Sequence, residues 1–216
     1  MQRIFARLTG LVSILLLFTF IPIFFAALRL YQIPMGLLPQ DAIKFEAVPW
    51  SLFFHALGGL LFGLLGPLQF AGALKLRFGR LHRISGRVFV AAGILLGLSS
   101  LRLVTTFPDA TTWVVVSARA VGGLGLILAL ILALHAIAKR RVDVHRAWMI
   151  RAYAIGMGSA TLVAFIQLPV FLITGEPLQG YAADLIFVAS WAINLGIAEW
   201  VIRHIGAKAK QALLSP

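Results

Sequence analysis

The 216-residue sequence contains no cysteine. Disulfides, thiolate-bound zinc, iron–sulfur clusters and cysteine nucleophiles are therefore excluded. Acidic residues are also scarce, with seven Asp and Glu against 19 Lys and Arg. Charged residues of both signs make up 12% of the chain, about half the share that a soluble globular domain carries. This composition is not that of a soluble domain.

The sequence also lacks the motifs of several common soluble enzymes. It has no phosphate-binding loop, no zinc-protease helix motif and no serine nucleophile elbow. The net charge of +12 does not indicate a nucleic-acid partner, because the cations flank long apolar runs. Cations in such positions face the anionic lipids of a membrane leaflet. We expect a lipid bilayer as the partner and no nucleic acid.

Apolar residues are what the chain has in abundance. They make up 61% of it, and the mean hydropathy is +0.97. A bilayer core is roughly 30 Å thick and needs about 20 helical residues to cross it. Six stretches meet that length, near 8–28, 50–74, 84–106, 113–138, 147–174 and 183–203. The sequence therefore predicts an all-α, polytopic transmembrane bundle of six spans, with 1–216 as a single membrane-embedded domain.

The basic residues are collected in alternate gaps between the apolar runs. If the N-terminus is cytoplasmic, only four of the 19 Lys and Arg residues fall on the outer side of the membrane. They are Arg29, Lys44, Arg102 and Arg119. Short loops rich in Lys and Arg stay cytoplasmic. The distribution predicts a bacterial inner-membrane protein whose N- and C-termini are both cytoplasmic.

Glycines indicate which spans form the interior. Helices in lipid associate through close backbone approach, which small residues allow. Such residues are concentrated in the second to fifth spans, at Gly59, Gly63, Gly93, Gly97, Gly122, Gly123, Gly125, Gly156 and Gly158. We expect spans two to five to form the core, with spans one and six packed outside it.

Two histidines share a depth and an inward direction. On a helix of about 100° per residue, His82 lines up with Gly86 and Gly93, and His145 lines up with Gly156. Both enter from the cytoplasmic side. His135 instead aligns with leucines and is the histidine least expected to face the bundle interior. His82 and His145 are therefore predicted to converge.

A pair of imidazoles from different helices can ligate the iron of a b-type haem. On this hypothesis His82 and His145 are the metal ligands. Four arginines at the same depth would pair with the haem propionates, namely Arg83, Arg87, Arg146 and Arg151. The alternative is that these basic helix ends bind lipid phosphate and fix the topology.

A second polar group is predicted toward the outer face. His55, Arg102 and Arg119 are costly in a bilayer and should face the bundle or a wet cavity, and Asp184 is the nearest acid. Gln69 shares the helical face of His55 and is included in the group. The group could form a pocket for a quinone head group or an anion. Alternatively, it could be an ion-pair contact that joins helices near the interface.

Three motifs together resemble one family. They are the run from His55 to Gly66-Pro67-Leu68-Gln69-Phe70, then Arg80 to Arg87, then His145 to Arg151. The combination resembles predicted bacterial membrane proteins grouped as domain of unknown function 2306, over the second to sixth spans. The resemblance implies the positions to test, which are His55, Gln69, His82, Arg83, Gly86, His145, Arg146, Trp148 and Arg151.

A looser likeness is to cytochrome b561-type and ferric-reductase-type bundles, whose core helices carry haem-holding histidines. It implies at most one haem here, because the outer side offers His55 alone. The leading hypothesis is a membrane protein that binds one b-type haem and passes electrons, with a quinone or a membrane complex as partner. The alternative is a non-catalytic accessory or assembly subunit, or a small-solute carrier.

Overall fold

The computed structural model describes residues 2–38, 46–71, 76–106, 112–176, 178 and 180–214, with side chains described except at 2–11, 106, 159–164 and 205–214. In this part of the chain the regular secondary structure is entirely helical. The helices are α1 (Gln2–Gln32), α2 (Pro49–Phe70), α3 (Gly79–Thr106), α4 (Trp113–Ala138), α5 (Val142–Thr174) and α6 (Gly180–Leu214). The predicted all-α class is confirmed.

Five of these helices are long and apolar enough to cross a membrane. The segments are Val12–Gln32 of α1, all of α2 and α4, Gly79–Thr105 of α3 and Gly180–His204 of α6. α5 contains the remaining predicted span, 147–174, some of whose side chains lie outside the described set. A membrane protein with several spanning helices is confirmed, whereas the count of six spans stays a prediction.

Several helices are longer than the spans predicted from hydropathy. α3 begins at Gly79 and α5 at Val142, each before the first residue of the predicted span. Hydropathy marks the length that lipid covers, but helical hydrogen bonding continues into flanking residues that water or headgroups solvate. The second helix is an exception, because it ends at Phe70 rather than near residue 74; residues 72–75 lie outside the described part.

A tight turn joins α4 to α5. α4 ends at Ala138, and Arg140 adopts the left-handed conformation with φ of 59°. The N–H of Arg141 donates to the carbonyl of Ala136, and the N–H of Arg140 donates to that of Ile137. These two hydrogen bonds form a Schellman motif, which reverses the chain within a few residues. The turn therefore places the start of α5 directly beside the end of α4.

Consecutive helices run antiparallel and pack on one another. In the α2 and α3 pair, Gln69 contacts Ser85, and Gly58 approaches Leu96. We call the end of the bundle where α2 and α4 end and α3 and α5 begin the basic end. The opposite end is called the far end.

The buried apolar cluster is drawn from α2, α3, α4 and α5. Phe62 and Phe89 are fully buried and stack with ring centroids 4.2 Å apart, and Tyr153 packs against both. α1 packs mainly on α2, with a lesser contact to α5, and α6 packs mainly on α5. The core therefore lies in the four helices in which the sequence concentrates glycine.

Candidate functional site

His145 lies at the start of α5 and is half-buried. Its Nδ1 is 2.9 Å from the carbonyl oxygen of Ala133 on α4, so the ring donates a hydrogen bond from Nδ1 to this acceptor. The tight α4–α5 turn makes the contact available. In this tautomer Nε2 carries a lone pair, which is the arrangement that ligating histidines adopt.

His82 lies in the first turn of α3 at the same basic end, and it is also half-buried. One turn further along α3, Ser85 is buried and accepts a hydrogen bond of 2.8 Å from Nε2 of Gln69 on α2. A Cβ added at Gly86 would lie 3.0 Å from Oε1 of Gln69. Gly86, one turn beyond His82, is thus covered by the flexible side chain of Gln69.

Gln69 does not belong with the outer group in which the sequence analysis placed it. Its amide is bonded to Ser85 at the basic end, whereas His55 lies near the start of the same helix. Fourteen residues of α-helix separate the two, a distance of about 21 Å. Sharing one helical face did not bring them together, because that face runs nearly the whole length of the helix.

The deeper glycines do not leave open room. A Cβ at Gly93 would lie 2.7 Å from both Leu130 and Phe62, and one at Gly156 would lie 2.5 Å from Phe62. A Cβ at Gly66 would lie 2.1 Å from the ring of Tyr153. Side chains of this chain therefore occupy the space that the glycines create in the middle of the bundle.

Two imidazoles are a donor set that haem iron accepts, and the contacts of the glycines show how the bundle is filled at each depth. Gly66, Gly93 and Gly156 face the rings of Tyr153 and Phe62, whereas Gly86 faces the end of a flexible amide. The bundle is therefore filled by rings at the level of Phe62, whereas a side-chain amide covers Gly86 one turn beyond His82. Arg83, Arg87 and Arg146 are exposed at this end.

Arg151 is engaged by a partner that the sequence did not indicate. It makes a bidentate ion pair with Glu199 on α6, with Nε 2.6 Å from Oε1 and one Nη atom 3.1 Å from Oε2. Its guanidinium also lies 4.7 Å from the ring centre of Trp148. Sequence spacing favours Arg203, one turn along α6, as the partner of Glu199. The pair instead joins α5 to α6.

Three members of the predicted outer group lie near one another at the far end. Asp184 is buried and accepts a hydrogen bond from the hydroxyl of Thr112. Arg119 lies within electrostatic range of Asp184 and of His55. Its guanidinium is 4.8 Å from the ring centre of Phe187.

His55 also contacts the neighbouring helix α3. Nδ1 of His55 is 3.4 Å from the hydroxyl of Ser99, and Arg102 is exposed. The group therefore ties α4 to α6 beside α2. Among the described residues, no cluster of three or more histidine and acidic side chains could hold a metal ion.

Tyr153 and Trp191 were not among the site residues predicted from the sequence. Tyr153 is buried two turns after His145, and its hydroxyl has no hydrogen-bond partner among the described residues. Trp191 lies against Gly122 and Gly158, and its Nε1 donates to the carbonyl of Ile155. The spacing from His145 could have indicated Tyr153. His135 is exposed, as its leucine-lined face predicts.

The fold and the site define a multi-pass helical membrane protein with a glycine-packed core and two half-buried histidines at its basic end. A family model described as "Predicted membrane protein (DUF2306)" matches residues 52–202, well over half of the chain. The chain belongs to this family, which confirms the resemblance predicted from its three motifs. No curated protein and no solved structure matches it.

Proposed function

We propose that this protein is a bacterial inner-membrane protein of six spans, with both termini cytoplasmic, that binds one b-type haem and passes electrons. His82 and His145 would be the axial ligands. The observation that carries the proposal is the hydrogen bond from Nδ1 of His145 to the carbonyl of Ala133. In this tautomer the imidazole is neutral, and the lone pair of its Nε2 is available to bind iron.

The surrounding residues support binding at this depth. A haem would supply one-electron chemistry within the bilayer. Ala133 would hold the His145 ring in one orientation, and the exposed Arg83, Arg87 and Arg146 would neutralise the propionate carboxylates. Arg151 is removed from this set, because its guanidinium is already paired with Glu199. A quinone or a neighbouring membrane complex would exchange the electrons.

A second candidate is a non-catalytic accessory subunit. It is favoured by the packing of Phe62 and Tyr153 against Gly93, Gly156 and Gly66, because the core is filled by the chain's own side chains. A bundle filled in this way is stable without a ligand. Its role would then be to bind and support a partner complex in the membrane.

The test is a reduced-minus-oxidised absorption spectrum of the full chain, produced with ample haem supply and purified in mild detergent. We expect a Soret band and a low-spin α-band in the wild type. His82→Ala and His145→Ala should each abolish the low-spin spectrum. His135→Ala is the matched control, since it removes an exposed imidazole near the same end and should leave the spectrum unchanged.

A colourless wild-type protein would overturn the haem proposal. An equal loss in His135→Ala would also count against it, because the effect would then not be specific to the two ligands. A colourless preparation that copurifies stoichiometrically with one partner complex would support the accessory role instead.

A further inference from the structure

An open depression lies at the basic end, beside the first turns of α3. Its volume is about 470 Å³. Its lining does not include His145, Ala133, Gln69 or Ser85. The lining residues are Arg77, Phe78, Gly79, Arg80, Leu81 and Ile84.

The depression carries uncompensated positive charge. Arg77 and Arg80 are both exposed, and neither forms an ion pair with a carboxylate in the described part of the chain. Arg77 and Arg80 thus place two guanidinium groups beside the first turn of α3. Such groups recognise phosphate through paired N–H donors.

The rest of the lining is apolar and exposed. Phe78, Leu81 and Ile84 have 52%, 51% and 48% of their surfaces exposed. Val88, one turn beyond Ile84, is 40% exposed, so the apolar strip continues along the candidate span of α3. A ligand that fits both parts must combine an anionic head with a hydrocarbon chain.

We propose that this depression is a binding site for an anionic phospholipid. The phosphate is held by Arg77 and Arg80, and an acyl chain lies along Leu81 and Ile84. Free phosphate would satisfy the arginines but would leave the apolar strip uncovered. A lipid satisfies both through charge complementarity and continuity with the hydrocarbon region. The proposal does not depend on haem binding, because neither Arg77 nor Arg80 is assigned to the haem.

The test is native mass spectrometry of the purified full chain, titrated with phosphatidylglycerol or with phosphatidylcholine. We expect the first phosphatidylglycerol adduct to form with higher affinity than the phosphatidylcholine adduct. Arg77→Gln combined with Arg80→Gln should weaken it by about fivefold for each guanidinium removed. Lys139→Gln combined with Arg141→Gln is the matched control, since it removes the same charge from the α4–α5 turn at the same end.

Three outcomes would overturn the proposal. They are equal affinity for the two lipids, an equal loss in the control variant, and full displacement of the lipid adduct by excess inorganic phosphate. The second would mean a diffuse effect of surface charge, and the third a phosphate site with no role for the hydrocarbon chain.

A charge-conserving variant keeps the test decisive if the glutamine variant does not fold. Arg77→Lys combined with Arg80→Lys preserves the charge but loses the planar pair of donors. The affinity for phosphatidylglycerol should then fall below that of the wild type. Unchanged affinity in the lysine variant, together with equal binding of both lipids, would contradict the site.

Discussion

Tyr153 has an unpaired hydroxyl group in the described part of the core. Its ring packs against Phe62, Phe70 and Phe89, and its buried hydroxyl has no hydrogen-bond partner among the described residues. Burying an unpaired hydroxyl costs about 1–3 kcal/mol. A group of this kind is retained either at a cost in stability or because something else bonds to it.

Tyr153→Phe separates these two explanations. We expect the free energy of unfolding in detergent to rise by about 1 kcal/mol or to stay unchanged, because the desolvation cost of the hydroxyl is removed while the ring packing remains. Denaturant titration followed by circular dichroism measures it. Tyr181→Phe, at a tyrosine that is 65% exposed, is the control and should have no effect. A clear loss of stability in Tyr153→Phe would show that the hydroxyl has a partner in the membrane.

At the level of helices, the closest approach described is between α2 and α3. A Cβ added at Gly58 would lie 2.9 Å from the backbone nitrogen of Leu96 and 3.0 Å from the carbonyl oxygen of Ala92. Backbone atoms cannot move aside as the end of a side chain can. At the neighbouring Gly59 the nearest atom would be a side-chain methyl of Leu96 at 3.8 Å, an ordinary contact.

These adjacent glycines provide a matched pair of substitutions. Gly58→Ala should lower the free energy of unfolding by about 1–3 kcal/mol, because the two helices must separate to admit the methyl group. Gly59→Ala should be neutral or slightly stabilising, since alanine is the better helix former. Thermal denaturation in detergent measures both. Equal effects of the two substitutions would mean that α2 and α3 do not pack as described here.

For the whole molecule, the distribution of cations predicts how the bundle is oriented in the membrane. The basic end carries the exposed Arg83, Arg87, Arg141 and Arg146. Positive loops are retained in the cytoplasm. The far end, which includes the exposed Glu176 after α5, would then face outward.

The absence of cysteine makes this orientation easy to measure. In single-cysteine variants, Glu176→Cys should react with a membrane-impermeant maleimide in intact spheroplasts. Arg141→Cys should react only after the membrane is permeabilised. The reverse pattern would overturn the orientation, and reaction of both sites in intact spheroplasts would contradict a bundle that spans the membrane between them. The cysteine-free wild type is the control.

Much of the architecture could be predicted because its signals are local. Long apolar runs and the placement of arginines report directly on the cost of moving residues into lipid. The His55, Arg80–Arg87 and His145–Arg151 motifs identified the family because they lie in one linear order. The helix ends were less accurate, since helical hydrogen bonding extends beyond the apolar stretch at Gly79 and Val142.

The sequence by itself determined that this is a multi-spanning helical membrane protein with most of its cations at one end. Only the tertiary structure decided that Gln69 bonds to Ser85, that Arg151 rather than Arg203 makes the bidentate pair with Glu199, and that Phe62 fills the space at Gly93 and Gly156. The physical reason is that hydropathy depends on each residue alone. Partners across helices depend on how each helix is rotated and shifted against its neighbours, which local spacing does not contain.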